Sequence, residues 1–88
     1  MKLEITIEVV KKGEWYLARI PELDFISQGK TVEEAKKNLL EVVRIQIEAM
    51  KEMGTLEDYL FECGFEMKEE DIISKLEMVR FEKSTILV

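Results

Sequence analysis

From position 2 to position 10 the chain alternates, with Leu3, Ile5, Ile7 and Val9 on one side and Lys2, Glu4, Thr6 and Glu8 on the other. This period of two predicts a strand with one buried and one wet face. Lys11, Lys12, Gly13 and Glu14 form a short polar break, and Trp15 to Ile20 follows with aromatic and branched residues, so the two runs predict a β-hairpin. Pro21 has no N–H to donate and ends the second run. Asp24 to Ser27 predicts a third strand before Gln28, Gly29 and Lys30 turn the chain again.

The spacing then changes. Thr31 followed by Glu34 is a capping box, and it opens a helix at Val32 whose apolar positions fall three and four apart at Val32, Ala35, Leu39, Val42, Val43 and Met50, flanked by Leu40 and Ile47. Polar Gln46 interrupts this face, which is expected to pack on the sheet. Glu33 with Lys37, Lys37 with Glu41, and Arg44 with Glu48 sit four apart on the opposite face, each pair contributing about 0.2–0.5 kcal/mol, a solvated surface and not a site. Gly54 supplies a helix stop.

Thr55 with Asp58 resembles a second cap, opening a short helix through Cys63 that Gly64 closes, and Lys68 to Ser74 reads as another turn. Leu76 to Phe81 and then Thr85 to Val88 carry branched and aromatic residues and predict a fourth strand, interrupted at Glu82 to Ser84. The expected order is β-β-β-α-(short α)-β, a two-layer α+β architecture in a single domain over residues 1–88.

Composition narrows the function. The 47% hydrophobic and 36% charged content is that of a folded domain, and the few amides (Asn38, Gln28 and Gln46) resemble the usage of heat-adapted proteins. A chain of 88 residues buries only about 60–65% of its unfolded surface, so a homodimer or higher oligomer is expected. The absence of histidine removes Ser-His and Cys-His catalysis and imidazole metal sites, and the lone Cys63 has neither a disulfide partner nor a basic neighbour to activate it. No cofactor and no metal are expected, and the protein is not expected to be an enzyme. No apolar run suits a signal peptide or a membrane span, which points to the cytoplasm.

The stretch Ile20 to Asn38, IPELDFISQGKTVEEAKKN, resembles the HicB family of antitoxins. The matching features are the hairpin start, the corner Pro21-Glu22-Leu23, the turn Ser27-Gln28-Gly29 and the helix opening Thr31 to Ala35, covering residues 1–52. Where family members often carry Pro-Gly-Cys after the corner, this chain has Asp24 and Phe25. Many family members also continue into a DNA-binding domain, for which residues 55–88 leave little room. The resemblance implies a partial ribonuclease-H-like fold that binds and masks HicA, a small basic toxin that cleaves mRNA. It implies no catalytic residues. The alternative is an orphan HicB-like module that homo-oligomerises without a toxin.

Charge is uneven along the chain. Residues 1–54 hold ten acidic and nine basic side chains and residues 55–88 nine and four, a net −1 against −5. Glu57, Asp58, Glu62, Glu66, Glu69, Glu70 and Asp71 face only Lys68 in their stretch, so they are the candidate partner-binding residues, with a solubilising surface as the plain alternative. Lys11, Lys12 and Lys30 with Trp15 and Tyr16 are too few for a nucleic-acid stripe, and direct binding is not expected without an added DNA-binding domain. A two-metal nuclease would need Glu4, Glu8 and Asp24 to converge with Glu41 or Glu48, which the apolar helix face opposes. Met50, Met53, Met67 and Met78 read as core.

Overall fold

The alternating run at the start of the chain serves two sheets, not one. In the computed structural model, which describes residues 2–68, 71–74, 77, 79, 80 and 82–88 and only the backbone of Met67 and Lys68, the run breaks into β1 (Lys2–Leu3) and β2 (Glu8–Lys12). β2 joins β3 (Trp15–Ile20) and β4 (Phe25–Gly29) in an antiparallel meander ordered β2-β3-β4. β1 leaves the meander and pairs in parallel with β6 (Asp71–Ser74), setting Leu3 opposite Ile72. β6 in turn pairs antiparallel with β5 (Phe65–Lys68), giving a second sheet ordered β1-β6-β5.

The break has a local cause. Glu8 lies opposite Arg19, so the same register continued would set Thr6 opposite Pro21, which has no N–H to return, and the ladder stops. The Thr6 N–H turns instead to the Glu22 carboxylate, 3.0 and 3.2 Å from its two oxygens, and Thr6 Oγ1 donates to the same group at 2.8 Å. At this corner the Ile20 carbonyl accepts from the N–H groups of Leu23 (3.2 Å) and Asp24 (2.8 Å). Asp24 takes the left-handed conformation with φ 61°, which a short polar side chain tolerates.

Helix α1 (Val32–Met53) starts as expected, with Thr31 Oγ1 accepting from the Glu34 N–H at 3.0 Å, and ends at Gly54 in the left-handed conformation. Its first turn presses on the end of β4. The turn expected at Ser27-Gln28-Gly29 is instead the end of β4, where Leu17 and Tyr16 pair with Gln28 and Gly29, and the chain turns only at Lys30 and Thr31. A Cβ placed on Gly29 would lie 2.5 Å from the Ala35 nitrogen, so this strand end requires a residue without a side chain. Asn38 Nδ2 then donates to the Gln28 carbonyl at 2.9 Å.

The buried helix face is narrower than the spacing predicts. Ala35, Leu39 and Val43 are buried and Ile47 and Met50 partly so, whereas Val32, Leu40, Val42 and Gln46 are exposed. Twenty-two helical residues run about 33 Å against strands of about 17–20 Å, and the contact is chiefly with β3 and β4, so one stripe is covered and its flanks are not. The expected helix-surface pairs do not form. Among the described residues the ion pairs are Arg19–Glu8 at 3.5 Å and Arg80–Glu82 at 3.9 Å.

Beyond Gly54 the sequence expectations need the most correction. Helix α2 (Leu56–Glu62) forms, but Thr55 makes no side-chain cap and has helical backbone angles, because its N–H is engaged at the end of α1 by the Met50 carbonyl at 2.9 Å. The turn expected over Lys68 to Ser74 is instead the end of β5 and the whole of β6, an arrangement that buries Phe65 and Ile72. In the expected fourth strand, Glu77, Val79 and Arg80 have no regular structure, and Leu76, Met78 and Phe81 lie outside the described residues. Thr85 to Val88 is exposed and forms no strand, since no partner strand reaches it among the described residues. The fold is α+β as expected, with six strands in two sheets and two helices among the described residues.

Ala18, Ile20 and Leu23 from the meander, Ala35, Leu39 and Val43 from α1, and Leu56, Leu60, Phe65 and Ile72 form a continuous buried set. Met50 packs against it, but Met53 is exposed, and the Met67 side chain and Met78 are outside the described residues. Among the described residues no helix is long and apolar enough to cross a membrane.

Candidate protein-docking site

α2 divides its seven residues sharply. Leu56 and Leu60, four apart, are buried and Tyr59 is half-buried, while Glu57, Asp58, Phe61 and Glu62 are exposed. Next to it, β5 and β6 send Phe65 and Ile72 into the core. Between helix and hairpin runs a groove of about 340 Å³, floored by Leu56, Leu60, Phe65 and Ile72, flanked by Phe61 and rimmed by Glu57, Asp58 and Glu66. Phe61 is 74% exposed, a large apolar side chain held in water beside an apolar floor.

Three of the seven candidate carboxylates therefore meet around one feature. Glu62 is exposed at the end of α2 and Asp71 on β6, neither lining the groove, and Glu69 and Glu70 lie outside the described residues. Sequence reasoning missed the apolar floor and Phe61. A signal was present, because Phe61 stands one residue off the Leu56 and Leu60 stripe and so cannot share its burial.

The helix that carries this rim is anchored through Tyr59. Its hydroxyl donates to the Leu23 carbonyl at 2.8 Å, and its ring stacks on Phe25 with centroids 6.3 Å apart. Burial, first, then the hydrogen bond and electrostatic influence of Cys63 and the charge of Asp24 push the phenol up to about 12. Tyr59 thus stays neutral at ordinary pH and positions α2. Cys63 packs against the core at the end of that helix.

Other candidate chemistry is dispersed. Lys30 Nζ lies over the Trp15 ring and Lys11 Nζ over the Tyr16 ring, each at 5.8 Å. Trp15 and Tyr16 are adjacent on one strand and face opposite sides of the sheet, so the two pairs make no common stripe. Glu8 is paired with Arg19, and among the described residues no group of three or more carboxylates or thiols is placed to hold a metal ion. No known protein family, curated protein or solved structure matches this chain.

Proposed function

We propose that this chain is an antitoxin-like, non-catalytic cytoplasmic protein that binds and neutralises a small basic mRNA-cleaving toxin of the HicA type through the groove between α2 and the β5–β6 hairpin. The observation that carries the reading is the combination of an apolar floor, the exposed Phe61 and the carboxylates Glu57, Asp58 and Glu66 on one rim. Interfaces draw their affinity from a few apolar anchors, and complementary charge around them sets encounter rate and partner choice. A basic protein presenting an apolar side chain between lysines or arginines satisfies both requirements. An acidic rim also disfavours nucleic acid as the occupant.

The family assignment itself rests on the stretch Ile20 to Asn38. The features on which HicB-like chains resemble one another each have a structural duty here: Glu22 holds Thr6, Gly29 admits the helix, and Thr31 caps it. The meander followed by a long helix agrees with the first part of the partial ribonuclease-H-like order, which is proposed with the function.

The test begins with the neighbouring reading frame. A basic protein of similar or smaller size with a candidate catalytic histidine is to be expressed alone and with this chain. Co-expression is expected to restore growth and the Glu57→Lys, Asp58→Lys double variant to lose that rescue. Growth arrest that persists with the wild-type chain present sinks the antitoxin reading, and full rescue by the double variant sinks the groove.

A further inference from the structure

We propose that the chain dimerises through β2, two copies pairing antiparallel about a twofold axis at Val10 to join their meanders into one six-stranded sheet. This surface is separate from the groove, and the inference stands whether or not a toxin partner exists.

β2 is an edge strand, and no strand pairs with its outer side among the described residues. Which backbone groups point outward follows from the turn. Lys12 and Trp15 close a two-residue loop in which Gly13 has φ 63° and Glu14 does not share the positive φ, the pattern of a type II′ hairpin. The closing pair of such a hairpin exchanges both backbone hydrogen bonds, and the pairs then alternate. Lys12, Val10 and Glu8 therefore aim their N–H and C=O groups at β3, leaving those of Val9 and Lys11 directed outward.

A copy related by a twofold axis at Val10 sets Val9 opposite the copy's Lys11 and Lys11 opposite its Val9. Those are the residues with outward groups on both strands, so the backbone bonds close in register. The same axis sets Glu8 opposite the copy's Lys12, twice, and Val10 opposite Val10. Glu8, Val10 and Lys12 share the sheet face that α1 leaves open, as do their β3 partners Arg19, Leu17 and Trp15. Glu8 already holds Arg19 at 3.5 Å, so pairing would place it between two cations. Val10, 46% exposed, would meet its own copy beside Leu17 from each side.

Lysines on an edge ordinarily deter strand addition. Here Glu8, four positions from Lys12, reverses that effect for an antiparallel copy and preserves it for a parallel one, which would set lysine against lysine. The charge pattern thus selects one partner and one direction.

Sedimentation velocity on the full chain and three variants tests the proposal, with circular dichroism and urea unfolding verifying that each is folded. Glu8→Lys and Lys12→Glu each place like charges across both symmetry-related pairs, and each is expected to weaken the dimer by about tenfold per pair, on the order of a hundredfold in all. Mixing the two variants restores opposite charges across both pairs, with their signs exchanged in one of them, and is expected to recover a dimer that neither forms alone. Lys11→Pro removes an outward N–H without touching the β3 ladder and is expected to abolish dimerisation. It keeps the test open if Glu8→Lys unfolds through loss of its Arg19 pair. A monomeric wild-type chain, single variants with wild-type mass, or a mixture that stays monomeric would each overturn the proposal.

Discussion

The Tyr59 hydroxyl donates to the Leu23 carbonyl at 2.8 Å, tying the second helix to the corner between the second and third strands of the meander. That bond crosses from the half of the chain on which the proposed family assignment rests to the half that carries the acidic rim. Its pH dependence has a definite sign. The phenol is raised from 10.0 to about 12 in the folded chain, so its contribution is fully present below pH 10 and is lost as pH rises from 10 towards 12. Tyr59→Phe is expected to cost about 0.5–1.5 kcal/mol at neutral pH. The gap from wild type should close above pH 10, as read by urea unfolding at a series of pH values, and a gap constant to pH 12 counts against the assignment.

Gly29 tolerates no side chain for a steric reason. A Cβ there meets Ala35 N at 2.5 Å and Glu34 Cβ at 2.9 Å, so Gly29→Ala must push the first helical turn off the sheet. The expected loss is about 1–3 kcal/mol of stability, measured by thermal or urea unfolding. At Gly13 nothing lies within 4 Å of the added Cβ, and Gly13→Ala should cost about 1 kcal/mol through its positive φ alone.

Glu22 holds the point where the first run leaves the meander. Glu22→Ala leaves the Thr6 N–H without its carboxylate, at an expected cost of about 1 kcal/mol. Amide exchange should quicken at Thr6 and in the parallel pair Leu3–Ile72, while Val10 and Leu17 keep their protection. Unchanged exchange at Thr6 would show that the bond carries no weight.

Phe61 separates folding from binding. Since it is 74% exposed, Phe61→Ala should alter stability by no more than about 0.5 kcal/mol. Its affinity for the proposed basic partner should fall by about tenfold or more in calorimetric titration, as for an interface anchor. Raising salt from 0.1 to 1 M shortens the screening length from about 10 to about 3 Å and should slow association of the wild-type complex. A variant that binds like wild type removes Phe61 from the site.

Much of residues 11–54 is legible without coordinates, because its signals are short-range. Pro21 stops a strand by lacking an N–H, Thr31 caps the helix three residues ahead, and Gly54 ends it through its own backbone. The helix face is partly legible: Ala35, Leu39 and Val43 obey the period, but periodicity does not say how wide a surface waits to cover them, so Val32 and Val42 fit the same spacing and yet lie exposed. The candidate site is legible in its charge and hidden in its floor. Glu57, Asp58 and Glu66 stand out by composition, whereas their meeting over Phe65 and Ile72 requires the hairpin to fold back under α2.

By itself the sequence determined the hairpin, the corner, the capped helix and the acidic bias of residues 55–88, all properties of neighbouring residues and of backbone chemistry. Tertiary structure alone decided that Leu3 pairs with Ile72, that the first run divides at Thr6, and that the terminal apolar residues Ile86 to Val88 stay exposed. The reason is physical. Alternation states which side of a strand seeks an apolar surface, but the strand that completes its ladder is chosen by competition among distant segments, each closing a different loop and burying different side chains.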